Sequence, residues 1–192
     1  MTAAAEPELE AGRVYRTKEL ARWTSNPPRL ARRMVASGQL VELARGLYAR
    51  PHQTRWGAVI PNSVEVMRAF LEGSPFVFTG PAQWNALGLG TTAMSRTILV
   101  YNRKRSDTLT LGGQTYVLRR VAFPVDPPPE WYVVDLFEHA EQAAASRPDV
   151  ARALASAVAA GRFDRERLRD LSNRYGTIAT RKHIQGALAA AG

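Results

Sequence analysis

The chain has 192 residues, 45% of them apolar, no cysteine and a formal charge of +9. That is length enough for two small domains with real cores, and it excludes a disulfide framework or a thiolate metal site. The histidines His52, His139 and His183 are too scattered to set a local ligand spacing, so neither a metal nor a cofactor is expected. No apolar run approaches the roughly 18–20 residues of a membrane span, and the start, MTAAAEPELE, lacks the basic and apolar regions of a secretory signal. The expectation is a soluble cytoplasmic protein without a membrane partner.

The charge is unevenly placed. Residues 11–55 carry Arg13, Arg16, Lys18, Arg22, Arg29, Arg32, Arg33, Arg45, Arg50 and Arg55 against Glu19 and Glu42, a local charge of +8. Residues 101–123 carry Arg103, Lys104, Arg105, Arg119 and Arg120 against Asp107, a charge of +4, and 124–192 are neutral. A field concentrated on one short segment suits a polyanion that binds within the screening length.

In chain order, RVYR (13–16) reads as a short strand or linker. Thr17 is placed to cap the helix KELARWT, with Leu20, Ala21 and Trp23 on its apolar side. SNPP ends that helix and starts another: Ser25 or Asn26 can cap it, and Pro28 fits its first turn. In PRLARRMVASG, Leu30, Ala31, Met34 and Val35 face inward, Arg29, Arg32 and Arg33 face outward, and Gly38 closes the helix. QLVELA and GLYARP then form a two-stranded ribbon turning at Arg45-Gly46. Helix, tight turn, helix and ribbon follow in the order of a winged helix-turn-helix.

Leu20, Trp23, Leu30, Met34, Leu40, Leu43, Leu47 and Tyr48 read as the core of that domain. After a linker, HQTRWGAVIPN, come a helix (SVEVMRAFLEG, with Val64, Met67, Phe70 and Leu71 at helical spacing) and a strand (FVFTG). A helix (PAQWNALGL), a strand (TILVYN) and a hairpin turning at Gly112-Gly113 complete the middle. Beyond the stiff DPPPE, helices are expected near 133–145, 148–160, 164–175 and 179–190, with Asp164 and Thr180 as caps. The expected class is α+β: a winged helix-turn-helix over 1–55, then an α/β module with a small mixed sheet and a helical C-terminal part over 56–192.

The second helix supplies the candidate DNA-reading residues. Asn26 and Arg29 stand at its N-terminal end, the end that enters the major groove in helix-turn-helix proteins. Arg29 and Arg32 are assigned to bases and Arg33 to phosphate, since a guanidinium fork fits either. Thr17 and Lys18, at the start of the preceding helix, suit a phosphate. Arg45 at the ribbon tip can reach a narrow minor groove, although a simple turn charge reads equally well there. Arg103, Lys104 and Arg105 form a secondary candidate for nucleic acid or an acidic partner. Asp135, Glu138 and His139, and the pair Asp164 and Glu166, lack a glycine-rich phosphate loop before them, so they read as caps and surface charge and no catalytic residue is assigned.

LARGLYARP, preceded by SGQLVEL and a helix-turn-helix, resembles the N-terminal domain of AbiEi-type antitoxins of bacterial type IV toxin–antitoxin systems. FVFTGPAQWNALGLGTTAMSRTILVYN and LGGQTYVLRRV resemble the part that follows in those proteins, extending the likeness over about residues 13–123. The resemblance implies a transcriptional autorepressor that binds a double-stranded operator of inverted repeats, with a homodimer on DNA as one arrangement. It also implies an antitoxin opposed to a nucleotidyltransferase-like toxin, acting without a stable tight complex. Two alternatives stand beside it: a stand-alone winged-helix regulator with a C-terminal dimerisation module and, less favoured, a nucleic-acid-modifying enzyme.

Overall fold

A computed structural model describes residues 7–192; residues 1–6, part of the start MTAAAEPELE and of the expected 1–55 domain, lie outside the described residues. The chain divides into two compact units. One takes the chain up to Pro75 together with Leu109–Thr115, and the other takes Phe76–Thr108 and Tyr116–Gly192.

In the first unit, strand β1 (Val14–Arg16) leads into a 3-10 helix (Thr17–Arg22), helix α1 (Pro27–Ala36) and strands β2 (Val41–Ala44) and β3 (Leu47–Ala49). The strands form an antiparallel sheet in the order β1-β3-β2, with Tyr15 opposite Tyr48 and a register shift between Glu42 and Ala44. The ribbon turns at Arg45-Gly46, as expected, and Gly46 takes the left-handed conformation that the turn needs (φ +80°).

Thr17 does not cap the helix after it. Its N–H is held by the Gly46 carbonyl at 3.0 Å, so Arg16 stands at the entry and donates its own N–H to the Glu19 carboxylate at 2.8 Å. The helix is correspondingly a tight 3-10 turn ending at Arg22. Trp23 lies beyond it, 39% exposed with its ring edge-on to Tyr15, and is not the core residue expected.

Asn26, one of the two cap candidates, accepts the N–H of Arg29 at 3.1 Å, while Pro27 and Pro28 occupy the turn where missing donors cost nothing. Leu30, Ala31 and Met34 are buried on one face of α1, against Leu9, Tyr15, Leu20, Leu40 and Tyr48.

The expected linker contains a second ribbon, β4 (His52–Thr54) paired antiparallel with β5 (Gly57–Val59). Every residue in both strands is exposed, so no inward and outward alternation marks them in the sequence. Helix α2 (Ser63–Phe70), capped by Asn62, buries Val66 and Met67 and leaves Val64 40% exposed; its apolar face is rotated from the one expected. Arg16 anchors this helix, donating to the Phe70 carbonyl at 3.0 Å and pairing with Glu72 at 3.1 Å. The 55/56 boundary falls inside this unit because α2 is tied back to β1.

A four-stranded sheet comprises β6 (Phe76–Thr79), β7 (Thr97–Asn102), β8 (Asp107–Leu111) and β9 (Gln114–Arg120), in the order β6-β7-β9-β8, with all but the hairpin tip Leu109–Thr115 in the second unit. β6 and β7 are antiparallel. The C-terminal ends of β7 and β9 meet, with Val121 N–H donating to the Asn102 carbonyl at 3.3 Å, so those two strands run the same way and the sheet is mixed. Helices α3 (Pro81–Ala86), α4 (Pro129–Glu138), α5 (Arg147–Ala159), α6 (Arg165–Tyr175) and α7 (Ile178–Ala190) complete the second unit.

Helix α4 begins four residues earlier than expected, since Pro129 is accommodated in its first turn, and it ends at Glu138. Asp164 caps α6, accepting Arg167 N–H at 2.8 Å. Thr177, not Thr180, caps α7, and Thr180 is buried inside the helix. One apolar core runs through Trp84, Tyr101, Trp131, Phe137, Leu154, Leu168 and Ile184.

Beside this core α4 buries two carboxylates, Glu130 and Asp135, and the second gathers donors from three other elements. Asp135, 5% exposed, accepts hydrogen bonds from the Thr79 hydroxyl, from Trp84 Nε1 at 2.8 Å and from the Tyr101 hydroxyl at 2.7 Å, joining β6, α3 and β7 to α4. Removing the acceptor strands three buried donors in a poorly solvated place. Asp135→Ala is expected to cost about 3 kcal/mol or more of stability. Urea unfolding followed by tryptophan fluorescence, which reports on Trp84 and Trp131, measures this; a loss under 1 kcal/mol would show that the carboxylate is dispensable.

Candidate nucleic-acid interface

Burial of the apolar face of α1 decides where its arginines go. Leu30, Ala31 and Met34 are locked into the core, so Arg29, Arg32 and Arg33 project into solvent. None of the three forms an ion pair among the described residues; Arg32 Nε lies 3.4 Å from the Pro28 carbonyl. Positive charge without an acidic partner stays available to an external anion. Asn26 is exposed at the same end of the helix, with Oδ1 committed to the cap.

The other candidates are less uniform. Arg45 is exposed at the ribbon tip, whereas Thr17 is half-buried beneath that tip, its backbone bonded to Gly46. Lys18 is exposed but pairs with Glu72, so a phosphate would have to compete with that carboxylate. Several basic groups of the 11–55 cluster are engaged internally. Arg13 pairs with Glu10 and Glu19 and lies over the Tyr15 ring, Arg16 holds α2, and Arg50 donates to the Gln39 carbonyl at 2.8 Å. The open positive charge is therefore Arg22, Arg29, Arg32, Arg33, Arg45 and Arg55, all exposed and without an ion pair among the described residues. Nothing in the sequence spacing of Arg22 and Arg55 distinguishes them from Arg13 or Arg50.

In the second unit, Arg103, Lys104 and Arg105 are exposed on the turn after β7. Asn102 shapes it, its buried side chain accepting the N–H of Lys104 at 2.8 Å and of Arg105 at 2.9 Å. Arg105 also pairs with Asp107 at 3.7 Å, and Arg103 lies over the Phe123 ring.

Reading Asp135, Glu138 and His139 as caps and surface charge fails for Asp135, which is the buried acceptor described above. Its i+4 spacing to His139 looks like an ordinary exposed helical pair until Thr79, Trp84 and Tyr101, distant in sequence, close around it. His139 stacks on Trp84, and its Nδ1 lies 3.4 Å from Asp135 Oδ1. Burial works against the charged imidazole, but hydrogen bonding to Asp135 and its charge, with Glu138 adding, outweigh that and raise the pKa above the usual 6.5. Burial, reinforced by Asp135, pushes the Tyr101 phenol up as well.

A cavity of about 330 Å³ lies beside this cluster, lined among others by Tyr101, Arg119, Trp131, Glu138 and Tyr175. Glu138 accepts the N–H of Thr177 at 2.7 Å and Asp164 is a cap, so both serve helix ends, while Glu166 is exposed in the first turn of α6. The carboxylates nearest the cavity are thus engaged by the fold.

Residues 10–51 match the family model described as transcriptional regulator, AbiEi antitoxin. The resemblance carried by the wing segment is borne out over that stretch, the one that holds β1, α1 and the Arg45 ribbon. No curated protein matches the chain. The structure is similar to the crystal structure of RV2827C protein from Mycobacterium tuberculosis, with a TM-score of 0.61 at 14% identity over 94% of this chain and 72% of that one. At that identity the likeness shows a shared fold. Among the described residues no helix is long and apolar enough to cross a membrane.

His139 gives the second unit a pH signature. A folded-state pKa above 6.5 means that the stabilisation is complete below 6.5 and is lost as pH rises through the folded value. Unfolding free energy should therefore fall as pH rises from about 6.5, and His139→Gln should flatten that slope. An unchanged slope in the variant would assign the titration to another group.

Proposed function

We propose that this protein is a double-stranded DNA-binding transcriptional autorepressor and the antitoxin of a type IV toxin–antitoxin pair. In this reading an N-terminal winged helix-turn-helix binds the operator and the remainder of the chain opposes a nucleotidyltransferase-like toxin without a stable tight complex. The observation that carries it is α1: an amphipathic helix with a fixed apolar face, an opposite face of unpaired arginines, and an adjoining ribbon with Arg45 at its tip, all within the segment matched to an antitoxin and transcriptional regulator family.

Arg29 and Arg32 read base edges, Arg33 contacts phosphate, Arg45 enters the minor groove, and Thr17, Lys18 and Asn26 position the backbone. Arg103, Lys104 and Arg105 give a secondary contact to nucleic acid or to an acidic partner. The protein acts in the cytoplasm, on an operator of inverted repeats that a homodimer can span.

Arg29→Ala or Arg32→Ala should cost about 1–3 kcal/mol on the operator and much less on random duplex. Arg33→Ala should weaken both alike and shallow the slope of log affinity against log salt by about one unit. Fluorescence anisotropy across a salt series separates these outcomes, and equal losses on both duplexes for all three variants would reduce α1 to phosphate contact.

The antitoxin half is tested with the full-length chain carrying Arg29→Ala, Arg32→Ala and Arg33→Ala together. It should no longer bind operator, yet should still protect cells expressing a nucleotidyltransferase-like toxin encoded beside it from an unrelated promoter. Loss of protection with the fold intact would place neutralisation on the same arginines. Absence of protection by the unaltered chain would leave a stand-alone repressor.

A further inference from the structure

Burial does not account for the composition of the second ribbon. β4 and β5 pair only three residues each, and all six are exposed. Their turn presents Trp56, 84% exposed, with the Arg55 guanidinium 4.8 Å over its ring. Val59 and Ile60, just beyond, are exposed as well. The turn is not a loose loop: the Thr54 hydroxyl donates to the Gly57 carbonyl at 2.8 Å and accepts Trp56 N–H at 3.1 Å, and Gly57 has φ +116°, so the Arg-Trp pair is held at the end of a short stiff arm. A tryptophan so exposed carries a standing cost in water, which a partner surface removes.

Charge selects the partner. From residue 43 to residue 64 there is no Asp or Glu, and Arg45, Arg50 and Arg55 all fall in that interval. An acid-free arm with a cation stacked on an aromatic ring matches a surface that is anionic and offers flat apolar edges. The minor groove of duplex DNA is such a surface: arginine is favoured where the groove is narrow, and apolar side chains wedge against base steps there.

We propose that the β4–β5 ribbon is a second minor-groove arm, with Arg55 and Trp56 entering DNA that flanks the site engaged by α1. The inference rests on the DNA-binding reading above and extends it to an element outside the segment matched to the antitoxin family. It assigns to Trp56 the work of an aromatic wedge and to Arg55 the reading of groove width, so the arm prefers A·T-rich flanks.

The test uses the full-length chain and duplexes that the chain itself selects from a random pool, embedded in long A·T-rich or G·C-rich flanks. Arg55→Ala and Trp56→Ala should each weaken binding about tenfold on A·T-rich flanks and have little effect on duplexes trimmed to the bases protected by α1. Both residues are on the surface, so the melting temperatures should equal that of the unaltered chain. Hydroxyl-radical footprints should lose one flanking minor groove in both variants, and Trp56→Phe should abolish most of the fluorescence quenching that accompanies binding.

Unchanged affinity and footprint in both alanine variants would overturn the proposal. A change in sedimentation coefficient without DNA would overturn it too, since the ribbon would then join protein to protein. If the unaltered chain selects no duplex at all, the DNA-binding reading itself fails, an outcome distinct from loss of the arm alone.

Discussion

The first unit depends on the burial of one face of a ten-residue helix. Leu30, Ala31 and Met34 close onto Leu20, Leu40 and Tyr48, and the helix cannot rotate without exposing them. That constraint, more than any property of the arginines, fixes Arg29, Arg32 and Arg33 on the outside and keeps them there. The same packing brings the Gly46 carbonyl onto Thr17 N–H, so the ribbon tip and the 3-10 turn are set together. Charge placement is thus a consequence of core placement. A short domain can present several cations at one end because its apolar residues leave them no other direction.

The second unit is organised differently. Its core is larger and contains a carboxylate that collects donors from three other elements. Such a centre stabilises only when all its partners are in place, and it disfavours alternative packings that leave a donor unmatched. His139 adds a titratable group to it, so part of the unit's stability depends on pH while the arginine surface of the first unit does not.

Much of this was legible in the sequence. The caps at Asn26 and Asp164, the turns at Gly46 and Gly112-Gly113, the outward arginines of α1 and the sheet strands were readable because each rests on local chemistry: a side-chain acceptor before a helix, a glycine where φ must be positive, a 3.6-residue period. The errors also have physical causes. Thr17 lost its capping position to the Gly46 carbonyl, far away in the sequence, which no local pattern announces. The β4–β5 ribbon was hidden because neither strand buries a face. Asp135 resembled surface charge since its partners, Thr79, Trp84 and Tyr101, come together only in the folded unit, and Lys18 looked free because Glu72 is remote in the chain.

The central claim is that α1 and its neighbouring ribbons form the face that meets DNA. The most direct measurement is an amide-resolved NMR titration of the full-length chain with a selected duplex. The account predicts that the largest shifts fall on residues 26–33, at Arg45-Gly46 and at Arg55-Trp56, with the second unit's core amides unmoved. Shifts confined to the second unit, or spread evenly over every exposed arginine, would contradict it.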